Sequence, residues 1–239
     1  MSPRVISFDS TGTLIKVSKS VGYHYVRILD KFFPGALSTA EKATVIREFN
    51  QNFPLHYASA EKKHPNFGRG SIGAYKWWQG IVRELYLSSH IDIKDYQFSY
   101  IFQDTYEQFR TSHCWEPYPE TLSTLQRLKD LGVDVVVTSD FDEGLSIILQ
   151  DLGLFRPEDI ANSLVKDVNI SYEVGVKKPK LVGLIRDKWN VFAHVGDSIN
   201  RDVAGAESAG IMSIFVDRDN KHSQKNSVAS LEGLIKYIK

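Results

Sequence analysis

Five side chains in this sequence could act together: Asp9, Ser139, Lys178, Asp197 and Asp202. Asp9, Ser139 and Asp197 each stand where an apolar run reads as the end of a buried strand, and an open parallel sheet binds its ligands outside the carboxyl ends of its strands. Lys178 precedes Pro179, and Asp202 lies five residues beyond Asp197. The set supplies carboxylates for a nucleophile and a divalent cation, a hydroxyl donor, and an ammonium to offset an anion. Such groups suit phosphoryl transfer, where positioning and charge neutralisation do most of the catalysis.

The elements that must position them can be read from periodicity. Arg4–Asp9 reads as a short buried strand ended by the turn-prone Ser10–Thr13. From Ser20 the apolar spacing becomes helical through Val21, Tyr25, Ile28, Leu29 and Phe32, with Pro34-Gly35 closing the element. A second helix is expected from Thr39 through Phe53, with Pro54 kinking or ending it. Ser71 is expected to cap a third, and a fourth carries Tyr96, Tyr100, Ile101, Tyr106 and Phe109. Four such stripes predict a small helical bundle. After Cys114 strands and helices alternate: a helix over 119–131, a strand over 133–139, a helix over 143–152 and a weaker strand near 160–164. A helix over 180–188, a strand over 191–195, a helix over 199–209, a strand over 211–216 and a helix over 228–238 follow. This alternation predicts an α/β, doubly wound, Rossmann-like parallel sheet. The expected organisation is a core of residues 1–16 and 115–239, with a helical cap over 17–114 inserted after the first strand. Composition agrees, since 20 of the 28 aromatic residues fall between Tyr23 and Tyr118.

Several function classes are excluded. With 29 basic and 29 acidic residues there is no basic excess of the kind a nucleic-acid binder carries. No apolar run approaches the ~20 residues of a membrane span. A single cysteine forms no internal disulfide, and no Cys or His spacing suits zinc. Met1-Ser-Pro-Arg4 runs straight into the first strand without a signal-peptide core, so a cytoplasmic or nuclear address is expected. Oligomeric state stays open.

Four ordered motifs carry a resemblance: Phe8-Asp9-Ser10-Thr11-Gly12-Thr13-Leu14; Thr138-Ser139-Asp140-Phe141-Asp142; Gly175-Val176-Lys177-Lys178-Pro179; and His194-Val195-Gly196-Asp197-Ser198 running to Asp202. In order, spacing and strand-end placement the sequence resembles the haloacid dehalogenase-like hydrolase superfamily. His64–Gly68 and Lys76–Val82 further resemble its branch called haloacid dehalogenase-like hydrolase domain-containing protein 3. The resemblance implies that Asp9 attacks phosphorus to form an aspartyl-phosphate. It also implies Mg²⁺ as cofactor, bound by the Asp9 carboxylate, the Thr11 main-chain carbonyl and Asp197, with Asp202 ligating through water or supporting the site. Ser139 would donate to a phosphoryl oxygen, Lys178 would offset charge, and the helical insert would be a substrate-selecting cap. A small phosphorylated metabolite is the expected partner, with no nucleic acid and no membrane.

One departure bears on turnover. Phosphatases of this superfamily usually carry a second Asp two positions after the nucleophile, and here that catalytic position is Thr11. That Asp protonates the leaving oxygen and later activates water, help worth roughly 10²–10⁴-fold, or about 3–5 kcal/mol of barrier. Asp9–Thr13 also looks like the phosphorylation motif of P-type ATPases, which has Thr there. The alternatives are therefore a weakened phosphatase, a pseudo-enzyme that binds a phosphoryl ligand or partner, and a 2-haloacid dehalogenase. Dehalogenases also lack the second Asp but need no metal and lack the Gly-Asp pair seen at 196–197. Asp140 stands where relatives often have Asn.

Other features read as structure. Gly68–Gly73 matches a dinucleotide fingerprint but follows no strand. One of Trp77 and Trp78 belongs to the bundle core. Cys114 beside His113 is not expected to act as a nucleophile. His24 and His64 are candidate substitute acids or bases, and 62–64 and 218–225 read as solvated faces.

Overall fold

A computed structural model describes residues 4–238. The expectation of no signal-peptide core falls partly on residues 1–3, which, with Lys239, lie outside the described residues. Close Cα packing divides the chain into one unit of Met1–Lys16 with Glu116–Lys239 and a second of Val17–Trp115.

The first unit is built on a six-stranded sheet, all of whose pairs are parallel. Its strands are β1 (Arg4–Phe8), β4 (Val133–Ser139), β5 (Asp167–Ile170), β6 (Val191–Gly196), β7 (Met212–Val216) and β8 (Ser227–Val228), in the order β5-β4-β1-β6-β7-β8. The connecting helices are α6 (Thr121–Asp130), α7 (Gly144–Asp151), α8 (Ser171–Val174), α9 (Lys180–Trp189) and α10 (Ala204–Ser208). This is the doubly wound α/β fold expected from the alternation. The strands are rich in valine and isoleucine because both sheet faces are covered; Val5, Val136, Leu181, Ile185 and Val191 form one buried layer. The chain leaves through β2 (Ile15–Val17) and returns through β3 (Trp115–Pro117), a two-stranded sheet.

The second unit contains α1 (Val21–Phe32), α2 (Thr39–Lys63), the short α3 (Pro65–Gly68), α4 (Gly73–Ser88) and α5 (Asp95–Phe109). A capping box starts α2, with Ser38 Oγ accepting from Glu41 N and the Glu41 carboxylate from Ser38 N. Aromatic edges fill the interior, Trp77 being 1% exposed and set against Tyr57 and Phe67.

Four expectations need correction. The helix α2 continues through Pro54. Phe53 stacks on Trp78, and Tyr57 packs on Trp77, so tertiary burial outweighs the lost backbone bond. Ser71 does not cap α4, whose N-cap is Ile72; its hydroxyl donates to Gly68 O instead. The strand expected near 160–164 lies at Asp167–Ile170, because Pro157–Asp159 opens a tight turn that runs into the earlier segment. The expected terminal helix is split: Ser227–Val228 is an edge strand and Leu231–Tyr237 a 3₁₀ helix.

Candidate active site

Strand register brings the motif residues together. Phe8 lies level with Val137 of β4 and Val195 of β6. Asp9, one residue on, therefore emerges beside Ser139 and Asp197, each two residues beyond its strand partner. Asp9 N still donates to Val195 O at 2.8 Å, which fixes its backbone to the sheet edge.

The loop after Asp9 closes on itself. Ser10 O accepts from the amides of Thr13, Leu14 and Ile15, and Ile15 O from Gly12 N. Leu14 O accepts from Tyr118 N and Thr121 Oγ1. Gly12 O and Thr13 O accept from the Arg218 guanidinium. From Ser10 to Ile15, only the Thr11 carbonyl receives no donor among the described residues. Gly12 has φ +84°, and a Cβ there would lie 2.1 Å from Asp197 Oδ2. Only glycine lets this loop meet that carboxylate so closely.

Lys178 is the hub. Its amide donates to Asp140 Oδ1 at 2.9 Å, and its Nζ lies 2.8 Å from Asp9 Oδ1 and 2.6 Å from Asp202 Oδ1. Its side chain is 1% exposed. Burial alone would lower its pKa, but the charges of Asp9 and Asp202 outweigh that and raise it, so the ammonium stays charged. Asp202 is buried too. Desolvation pushes its carboxyl up, but Lys178 and His194 hold it well below the usual carboxylate range. Its Oδ1 accepts from His194 Nε2 at 3.0 Å, and its Oδ2 from Ser198 N at 2.9 Å. The turn Ile199–Val203 carries it back under Gly196, where a Cβ would lie 2.2 Å from its Cγ.

Ser139 Oγ donates to Asp9 Oδ1 at 2.8 Å. A hydroxyl has one hydrogen, so the Ser10 hydroxyl, 2.7 Å away, donates to Ser139. Ser139 thus holds the Asp9 carboxylate in place. Asp9 Oδ2 accepts no hydrogen bond among the described residues. Asp197 stands at the open edge; the protein mass around it and then the charges of Asp9 and Asp202 push its carboxyl up to about 6.

Carboxylate oxygens of Asp9, Asp197 and Asp202 lie within 4.8 Å of one another. Three carboxylates against one buried ammonium leave excess negative charge, which a divalent cation would relieve. The donors are all oxygen, the undonated Thr11 carbonyl included, and this set fits Mg²⁺.

The structure thus brings together Asp9, Ser139, Lys178, Asp197 and Asp202. Thr11 is on the same loop, with its side chain exposed and its hydroxyl unbonded among the described residues. Two further contributors escaped residue-by-residue reading. Ser7 pairs in register with His194, its Oγ 2.9 Å from His194 Nδ1 and 2.7 Å from Thr138 Oγ1. The available signal was alternation, with Ser7 and Asp9 on one face of an otherwise apolar strand. Arg218, read as solvated, instead grips the nucleophile loop. His24 is buried among Tyr23, Phe109 and Arg27, with Nε2 2.7 Å from Ser18 O, which makes it a structural residue. Burial pushes the Cys114 thiol up to about 12, so it is inert near neutral pH.

Among the described residues no helix is long and apolar enough to cross a membrane. Haloacid dehalogenase-like hydrolase domain-containing protein 3 of Xenopus laevis is 27% identical over 227 residues, covering 90% of this chain and 85% of that protein. The L-2-haloacid dehalogenase RSc1362 shares the fold with a TM-score of 0.66 at 15% identity, over 100% of this chain and 99% of that one. The putative HAD-hydrolase YfnB of Bacillus subtilis, solved bound to magnesium, does so with a TM-score of 0.67 at 16% identity, over 100% and 99%. A family model described as haloacid dehalogenase-like hydrolase matches residues 3–210. With its four motifs gathered at one sheet edge, the chain belongs to the haloacid dehalogenase-like hydrolase family.

Proposed function

We propose that this chain is a Mg²⁺-dependent phosphatase of a small phosphorylated metabolite, acting through Asp9. The observation that carries this reading is the gathering of Asp9, Asp197 and Asp202 around the single buried ammonium of Lys178. Oδ1 of Asp9 is held by Ser139 and Lys178, so Oδ2 is the oxygen that attacks phosphorus. As the Oδ2–P bond forms, the P–O bond to the leaving group breaks, and the leaving oxygen takes a proton from water. A second water attacks the aspartyl-phosphate, frees the Asp9 carboxylate and releases inorganic phosphate; its proton neutralises the hydroxide left by the first step. Held by Asp9, Asp197 and the Thr11 carbonyl, with Asp202 in support, Mg²⁺ would neutralise charge on the phosphoryl oxygens. Lys178 contributes in the same sense from the buried side.

The test is Mg²⁺-dependent phosphate release from p-nitrophenyl phosphate by the wild type and by Asp9→Asn. The substitution should abolish release; equal activity in the two proteins would refute the assignment. Metal-independent halide release from a 2-haloacid would place the chain with the dehalogenases instead. The exposed, unbonded Thr11 hydroxyl favours a second reading, a phosphoryl-binding protein without turnover. That reading requires the wild type to bind a phosphoryl mimic and release nothing.

A further inference from the structure

Arg218 lies two residues beyond β7, and charged residues just after it are solvated. Lys221, for example, pairs with Asp219, both about two-thirds exposed. Arg218 turns inward instead. Its Nη2 donates to Thr13 O at 2.8 Å, its Nε to Gly12 O at 3.3 Å, and its Nη1 to Glu120 Oε1 at 2.6 Å. The guanidinium carbon is 3.4 Å from the Tyr118 ring centroid, stacked in the cation–π manner. A planar fork with fixed donors can serve three acceptors and a ring face together; an ammonium cannot. Tyr118 N and Thr121 Oγ1 in turn both donate to Leu14 O. The fork therefore ties the loop that follows Asp9 to the segment that follows β3.

We infer that Arg218 is a positioning residue for the nucleophile loop. By holding the peptide groups of Gly12 and Thr13, it fixes the neighbouring Thr11 carbonyl and the Asp9 carboxylate relative to Asp197. It is not one of the carboxylates that would hold the cation. The part of the inference that concerns Mg²⁺ rests on the reading in the preceding subsection; the hold on the loop does not.

The test compares wild type, Arg218→Ala, Arg218→Lys and the control Lys221→Ala by hydrogen exchange without metal and by calorimetric Mg²⁺ titration. In Arg218→Ala, exchange at the amides of residues 11–15 should speed by about tenfold or more, with β1 and β4 unchanged. Mg²⁺ should bind about tenfold more weakly, as expected for losing two charge-assisted hydrogen bonds. Arg218→Lys, which keeps the charge without the fork, should fall between, and it decides the matter if the alanine variant does not fold. Lys221→Ala should match wild type. Exchange over 11–15 within twofold of wild type in the Arg218 variants overturns the inference. If wild type neither binds Mg²⁺ nor releases phosphate, the proposed function fails, while faster exchange over 11–15 still upholds the hold on the loop.

Discussion

Under the proposed phosphatase reading, replacing Thr11 with aspartate should raise turnover. The side chain at 11 is exposed and unbonded, so the change removes no packing and no hydrogen bond. It places a carboxyl on the residue that bears the undonated carbonyl, two positions from Asp9. General acid–base help of this kind is worth roughly 10²–10⁴-fold. The structure points to the low end of that range. Oxygens of Asp9, Asp197 and Asp202 already lie within 4.8 Å of one another, and Asp197 is pushed up to about 6. A fourth carboxyl in the same field would also be pushed up, which keeps a proton on it near neutral pH, as an acid requires. Once that proton is given up, the extra negative charge opposes the incoming phosphoryl group. A gain of about 10²-fold in kcat, roughly 2.7 kcal/mol, is therefore expected. The assay compares p-nitrophenyl phosphate with an alkyl phosphate such as glycerol phosphate. The gain should be larger on the alkyl ester, whose leaving oxygen needs the proton. An unchanged kcat on both substrates, in a variant that still binds Mg²⁺ as wild type does, would refute the idea that proton transfer is what the site lacks. A gain that survived Asp9→Asn in the same background would refute the choice of nucleophile.

Two further outcomes follow from burial. Lys178→Met leaves Asp9 and Asp202 facing each other at 6% and 1% side-chain exposure. Breaking a buried charge cluster in this way costs about 3–5 kcal/mol, measurable by urea unfolding at pH 7; a loss under about 1 kcal/mol would mean that the carboxylates are not both charged in the native state. In the second unit, burial and the facing Arg27 hold His24 below its ordinary 6.5, against the opposing pull of Ser18 O. The unfolded chain takes up that proton first as pH falls below 6.5, so stability declines from there toward the folded value. His24→Gln, which keeps a donor for Ser18 O but cannot titrate, should lose less stability than wild type between pH 7 and 5; parallel losses would show that another group governs this window.

The residues that end strands were readable because a strand covered on both faces is a largely apolar run, and the polar residue where that run closes marks the edge. Asp9, Ser139 and Asp197 each occupy such a position, and parallel register does the rest. Where polarity enters a strand, reading fails. In β5, Asp167 accepts from Lys188 Nζ and Trp189 Nε1, and Asn169 donates to Val137 O, so its polar side chains are satisfied by tertiary partners that sequence spacing does not show. Pro54 misleads for a related reason, since the aromatic contacts that carry α2 past it come from α4. Arg218 is the hardest case. Its carbonyl acceptors lie 205 and 206 positions away, and Asp219 and Lys221 just after it are ordinary surface charges.

The buried polar network has no rationale in stability. Replacing buried ion pairs by apolar side chains of similar size is often neutral or stabilising, and the surrounding β1, β4 and β6 show that this sheet can be filled with valine and isoleucine. Yet Thr138, Ser7, His194, Asp202, Lys178, Asp9, Ser139 and Ser10 form one unbroken run of contacts no longer than 3.0 Å. Every member but the terminal Ser10 is held from two sides or anchored in a strand, and the carboxylate of Asp9 cannot rotate without breaking contacts to both Lys178 and Ser139. Such a network fixes an anionic oxygen in place, which nucleophilic attack on phosphorus requires and folding does not. Thr11 lies outside it, so under the proposed phosphatase reading the two halves of the chemistry separate: binding and attack would rest on the sheet, while proton transfer would depend on one exposed loop position where a single substitution can be made without disturbing the rest.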